Sequence, residues 1–256
     1  MQPLFLSLLL IPPAAALAGG EYRANPAGEM NTQALSLHRQ GRYQEAESLL
    51  RQALPESPGS GRAAMLHNLA ESVSYQGRLE EEAEIYQLAL PLAGGGLLEA
   101  AIRDGLAATR SAQGRLDEAE DLARQALDAR QAELGQDHPE IATSLNNLGE
   151  ILRRQGRRAE SRVLLSNALD IWERIGHPSA ATALNNLAVL YSSEGRPVAA
   201  EKFLRRSLEL RRRTLGDGHP AVALTLRNLS AVYAAQGRHT EAKQILRQSM
   251  SAGFTQ

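Results

Sequence analysis

Residues 184–207 read LNNLAVLYSSEGRPVAAEKFLRRS, and this stretch decides the architecture. Leu184, Leu187, Ala188 and Tyr191 follow at steps of three, one and three, which draws one apolar stripe along an α-helix. Gly195 then ends that helix, because a residue without Cβ enters the left-handed backbone region at no steric cost. Past the turn, Ala200 and Ser207 are small residues seven apart with Leu204 between them, so a second helix can come close to the first. A single helix pair cannot bury both of its faces.

The rest of the chain supplies the missing neighbours. Gly followed by Arg recurs at Gly41, Gly77, Gly114, Gly156, Gly195 and Gly237, at intervals of 36, 37, 42, 39 and 42 residues. Twelve residues after each Gly stand Ala53, Ala89, Ala126, Ala168, Ser207 and Ser249, all small. Five residues after it stand Ala46, Glu82, Ala119, Ser161, Ala200 and Ala242, with Glu82 as the misfit. The upstream stripe returns as Leu66, Leu69, Ala70 and Val73, as Leu145, Leu148, Gly149 and Leu152, and as Leu226, Leu229, Ser230 and Tyr233. Self-similarity at this period means stacked helix pairs, each burying its stripe on the next.

Composition excludes several function classes. With 28 Lys plus Arg against 29 Asp plus Glu, the net charge of -1 gives no general pull toward nucleic acid, and few aromatic residues are available for stacking on bases. The absence of Cys removes thiolate metal sites, disulfide scaffolds and Cys nucleophiles. No Gly-rich phosphate loop, no Gly-x-Ser-x-Gly elbow and no paired His on one helix turn occurs, so no catalytic residue, cofactor or metal site is assigned. Leu4 to Ala18 is an apolar run broken by Ser7 and Pro12-Pro13, too short to span a bilayer, and Ala16-Leu17-Ala18 suits a signal peptidase. The expectation is a signal peptide at 1–18, export to periplasm or medium, and no stable membrane insertion afterwards.

The period and the Gly turn resemble the tetratricopeptide repeat. Leu134-Gly135-Gln136-Asp137-His138-Pro139 and Leu215-Gly216-Asp217-Gly218-His219-Pro220, with the shorter Ile175-Gly176-His177-Pro178, are similar to the 42-residue repeat form typified by kinesin light chains. The resemblance implies an all-α, right-handed superhelical solenoid of about six antiparallel helix pairs, at about 27–62, 63–96, 97–138, 139–177, 178–219 and 220–251, after a linker at 19–26 and before a tail at 252–256. His138, His177 and His219 precede Pro at a helix start and are expected near N-caps. Successive repeats would hold them roughly 8–10 Å apart or farther, too far to share one ion.

Nine residues before each turn Gly lie Thr32, Asn68, Gly105, Asn147, Asn186 and Asn228. Asn is a poor helix former because its amide competes for backbone groups, so a recurring mid-helix Asn needs a reason. One reason is structural, an amide that fixes stacking register between helices. The other is implied by the resemblance: first helices line the inner wall, and a ladder of Asn grips a partner's peptide backbone. Further inward positions are His67 and Glu71, Asp104, Asn146, Glu150 and Arg153, Asn185 and Val189, and Arg227, with mixed charge. The candidate groove is therefore Asn68, Asn147, Asn186, Asn228, Asn146, Asn185, His67, Glu71, Glu150, Arg153 and Arg227, taking a protein or peptide partner.

Two places depart from the pattern. Gly94-Gly95-Gly96, Arg103, Gly105 and Arg110 predict an irregular or flexible joint near 93–106 that divides a two-repeat front from a four-repeat back, because a mid-helix Gly costs roughly 1 kcal/mol against Ala. The last helix carries Ile245, Leu246 and Met250 on its outer face, only some of which its own repeat can cover, which makes a homodimer through the C-terminal repeat a candidate. The expected function is a non-catalytic interaction scaffold. The alternatives are a self-assembling structural array and an accessory subunit of an enzyme.

Overall fold

The computed structural model describes residues 26–252. The leader expected at 1–18 lies outside them. Twelve α-helices follow in order: α1 (Pro26–Arg39), α2 (Tyr43–Ala53), α3 (Gly59–Ser74), α4 (Leu79–Ala89), α5 (Gly96–Ala112), α6 (Leu116–Leu134), α7 (Pro139–Arg154), α8 (Arg158–Arg174), α9 (Ala180–Ser193), α10 (Pro197–Leu215), α11 (Pro220–Ala235) and α12 (His239–Ala252). Short 3-10 turns sit at Leu54–Glu56 and Leu90–Leu92, and the described residues contain no strand. None of these helices is long and apolar enough to cross a membrane. Consecutive helices pair as α1/α2, α3/α4, α5/α6, α7/α8, α9/α10 and α11/α12.

Each pair turns as the sequence dictates. At the central turn Gly195 has φ of +72°, the Arg196 amide donates to the Tyr191 carbonyl at 3.0 Å, and the Gly195 amide donates to Ser192 at 3.0 Å. Those bonds take up carbonyls that the end of α9 would otherwise leave unpaired. The other five turn glycines also have positive φ. The long pairs begin as expected, with His138 and His219 as N-caps: their Nδ1 atoms accept from the Glu140 and Ala221 amides at 3.3 and 3.1 Å. His177 Nδ1 accepts from the Ser179 amide at 3.2 Å in the turn before α9.

The small and large positions around each turn form the core. Ala46, Ala53, Ala119, Ala126, Ser161, Ala168, Ala200 and Ser207 are all buried, as are Leu50, Tyr86, Leu165 and Leu204 between them. Glu82 replaces a small residue and is buried too.

The contacts divide the chain between Gln136 and Asp137, giving a first unit of α1 to α6 and a second of α7 to α12. The expectation of a break near 93–106 is thus corrected in part. Gly94, Gly95 and Gly96 do make an irregular connection, all with positive φ, but α5 then runs unbroken through Gly105. Gly105 is there for space: a Cβ on it would lie 2.3 Å from Tyr86 Cζ and 2.4 Å from its hydroxyl. Arg103 pairs with Glu99, and Arg110 donates to Gln113 at 2.8 Å, so both arginines are accommodated at stripe positions. Gly105→Ala is expected to destabilise the chain by about 1–3 kcal/mol through overpacking, reversing the gain of roughly 1 kcal/mol that helix propensity alone gives. Urea denaturation measures the sign, and a more stable variant would contradict this packing.

Candidate functional site

The first helices carry the expected amides, and the structure puts them in a repeating geometry. Asn186 Nδ2 donates to Asn146 Oδ1 at 3.0 Å, and Asn228 Nδ2 donates to Asn185 Oδ1 at 2.9 Å. In the first unit Asn68 Nδ2 donates to Asn31 Oδ1 at 2.9 Å. Each of these three rungs therefore reaches back one repeat, to the residue just before the preceding rung position. That residue is Asn in all three cases because its carbonyl oxygen must accept, and Asn31 serves although its own neighbour is Thr32 rather than Asn. The inter-repeat amide bonds that a register role requires are present.

The bonds do not exhaust the amides. An Asn side chain has two N–H donors and a carbonyl oxygen, and each inter-repeat bond uses one donor of the rung. Asn147, Asn186 and Asn228 are each only half-buried, whereas Asn146 and Asn185 are buried. The second unit thus presents three amides at equivalent positions of α7, α9 and α11, two of them oriented by a bond from behind. Asn147 is the third, its Oδ1 accepting from Asn146 Nδ2 at 3.5 Å. Glu150 and Arg153 pair at 2.6 Å, largely cancelling each other's charge beside this row. Val189 is half-buried one turn beyond Asn186, and Arg227 is exposed next to Asn228.

The first unit is different. Asn68, His67 and Glu71 are all buried, so these three candidate groove residues do not line an open face. They lie within a polar core. His67 Nε2 is 3.7 Å from Glu71 Oε1, the His67 and Tyr86 rings are 5.7 Å apart, and Asp104 forms a buried ion pair with Arg130. Burial pushes the Glu71 carboxyl up to about 8, aided by the charge of Glu82, and burial raises Glu82 to about 7 against hydrogen bonds from Thr109 and Ser74. Burial lowers the His67 imidazole to about 4, with Arg130 adding to the effect. Asp104, read as an inward position, is committed to Arg130. The sequence could not show this, since 26 residues separate the two.

A second set of residues escaped the sequence reading although it is periodic. Glu47 of α2 accepts from Arg78 and Gln76 of the following turn, at 2.8 and 2.7 Å. Glu201 of α10 accepts from Arg238 and Gln236 of its following turn, at 2.8 and 3.0 Å. Burial works against ionising Glu47, yet hydrogen bonds from Arg78, Gln76 and Arg51 bring its carboxyl down to about 2. Between α8 and the turn after α9 the charges are exchanged: Arg162 meets Glu194 at 3.4 Å. In the clasps on Glu47 and Glu201 the Arg after a turn Gly thus holds an acid six residues past the previous turn Gly. That offset was the available signal.

Comparisons with known proteins agree with the fold. The model of the tetratricopeptide repeat family matches residues 27–94, 97–174, 140–213 and 179–252. No curated protein matches the chain. Among solved structures, the kinesin light chain nearly identical TPR-like repeats of Podosopora anserina are 24% identical, cover 77% of this chain and 97% of their own, and superpose with a TM-score of 0.60. BtubC (BKLC) from P. vanneervenii is 21% identical over 90% of this chain and 91% of its own, with a TM-score of 0.63. A Rap protein complexed with Competence and Sporulation Factor is 15% identical over 89% of this chain and 74% of its own, with a TM-score of 0.66. These structures share the fold of a typically non-catalytic interaction scaffold, and no catalytic family is indicated. With family matches running from residue 27 to residue 252, the chain belongs to the tetratricopeptide repeat family.

Proposed function

We propose that the second unit binds an extended segment of a partner protein along the row Asn147, Asn186 and Asn228, and that the chain does no chemistry of its own. The observation that carries this reading is the half-buried state of the three rungs, with Asn186 and Asn228 held from behind by Asn146 and Asn185. An amide fixed in this way keeps a donor and an acceptor for a main-chain peptide unit without reordering. At roughly 8–10 Å between neighbouring first helices, one rung matches about three residues of extended chain. Support by analogy comes from the Rap protein of the same fold in complex with Competence and Sporulation Factor. Export by the leader at 1–18 would put this scaffold in periplasm or medium, and intact Met1 on the protein from its native host would argue against that.

Two substitutions separate gripping from register. Asn147→Ala removes the rung with the least inter-repeat bonding, so partner capture in the native host by crosslinking should fall about tenfold, a loss of 1.4 kcal/mol of binding, with little change in melting. Asn185→Ala removes the buried acceptor of Asn228 and should cost about 1–2 kcal/mol of stability. Unchanged capture by Asn147→Ala sinks the gripping role.

A further inference from the structure

Where α8 ends and α9 begins, the second unit holds a cleft of about 280 Å³ that the C-terminal half of α10 also lines. Trp172 lines it, is 1% exposed, and its indole Nε1–H has no acceptor among the described residues. An unpaired buried donor is costly and rare. The repeat shows that this one is a departure. Sixteen residues past the turn Gly, α6 has Arg130 and α10 has Arg211, both buried donors like Trp172. Arg130 is taken up by Asp104, and Arg211 Nη1 donates to the Ala221 carbonyl and to Thr225 Oγ1 at 2.9 and 2.6 Å. The place of Thr225, twelve residues before its turn Gly, is held in α9 by Ala183, whose side chain can accept nothing.

The groups beside Trp172 are donors as well. His177, its ring 6.3 Å from the indole and nearly parallel to it, accepts from the Ser179 amide through Nδ1 at 3.2 Å. Burial lowers the His177 imidazole, so the ring is neutral near pH 7 and its one N–H is at Nε2. Arg213 brings an exposed guanidinium to the rim, and Leu184 and Leu210 supply an apolar wall. The acids of the cleft are Glu173, held by Arg206 at 2.6 Å, and Glu209, both exposed. Neutral and cationic donors ask for an anionic acceptor, while two acids at the rim penalise a second negative charge. The volume is close to the lower limit of ligand sites, about 300 Å³, so the ligand's body is a few carbons.

We propose that this cleft binds a small monocarboxylic acid, its carboxylate taking the N–H groups of Trp172 and His177 and the Arg213 guanidinium, and its apolar chain lying on Leu184 and Leu210. None of Asn147, Asn186 and Asn228 lines the cleft, so the site does not depend on the groove reading.

The probe is isocaproate, and because the chain has a single Trp, its indole N–H resonance is an unambiguous reporter. Titration into the full chain should move that proton downfield and saturate below about 10 mM. Arg213→Gln, at an exposed position, should weaken binding about tenfold. Trp172→Phe keeps a ring and loses the N–H, and calorimetry should show a loss of similar size. Isocaproamide, which carries no charge, and glutarate, which carries two, should each bind at least about tenfold more weakly. Asn147→Ala should leave the titration unchanged, which separates this site from the groove. An indole resonance unmoved at about 10 mM overturns the proposal, and so does equal binding of isocaproamide or an Arg213→Gln chain that binds like the native one.

Discussion

Arg130→Met is expected to cost about 3–5 kcal/mol, because it leaves Asp104 as an uncompensated buried charge. Arg130 is fully buried and the side chain of Asp104 nearly so, and both belong to the third helix pair. Little water is at hand to solvate the remaining carboxylate. Adding Asp104→Leu should recover most of the loss, since replacing a buried ion pair by apolar groups is often neutral. Arg130 also depresses the His67 imidazole, so the His67 pKa should rise from about 4 in Arg130→Met. Chemical denaturation gives the energies and the NMR titration of His67 gives the coupling. A cost under about 1 kcal/mol with an unmoved His67 would mean the pair is not closed as described.

Residues 26–136 should lose stability on going from mildly acidic to alkaline pH, by roughly 3 kcal/mol between pH 5.5 and 9. Glu71 titrates near 8 in the folded chain and near 4.5 in the unfolded one, and Glu82 near 7. Above about pH 4.5 the unfolded chain releases protons that the folded chain retains, so the stabilisation is complete below that pH and is lost as pH climbs through 7 to 8. His67 acts oppositely: with its folded value near 4, its contribution is complete above about 6.5 and fades on acidification. Two carboxyls outweigh one imidazole between pH 4.5 and 6.5, so the first unit should be most stable near pH 4.5. In the second unit Glu201 and Glu241 are shifted down, Glu201 against burial by hydrogen bonds from Gln236 and Arg205, and Glu241 by its bond from Arg238, so these acids weaken it only in acid. Calorimetry should show melting of the first unit falling by on the order of 10 °C, and hydrogen exchange should localise the loss to α3–α5. Glu71→Gln should flatten the alkaline slope; a slope unchanged by that substitution would rule out Glu71 as its source.

The helix pairs were readable because their signals are local. Leu184 to Ser207 holds a complete stripe, turn and return stripe, and Gly195 adopts the conformation its position demanded. Asn was singled out correctly as a residue needing an explanation, but its bonding partner is about 40 residues away, at Asn146 for Asn186. The same distance problem hid the role of Gly105, whose reason is the Tyr86 ring of the preceding pair and not anything in α5. It also made His67 and Glu71 look like surface positions. Their helical phase is that of a first-helix inner face, yet α3 is buried on nearly every side. Phase tells which residues share a face, and only packing tells whether that face meets solvent.

The most direct test of partner binding on the first-helix face uses a photocrosslinking amino acid placed in the native host. Put at Val189, half-buried beside Asn186, it should capture a specific protein band; put at Val163, exposed on α8, it should capture none. Capture from both positions alike, or from Val163 alone, would contradict the account.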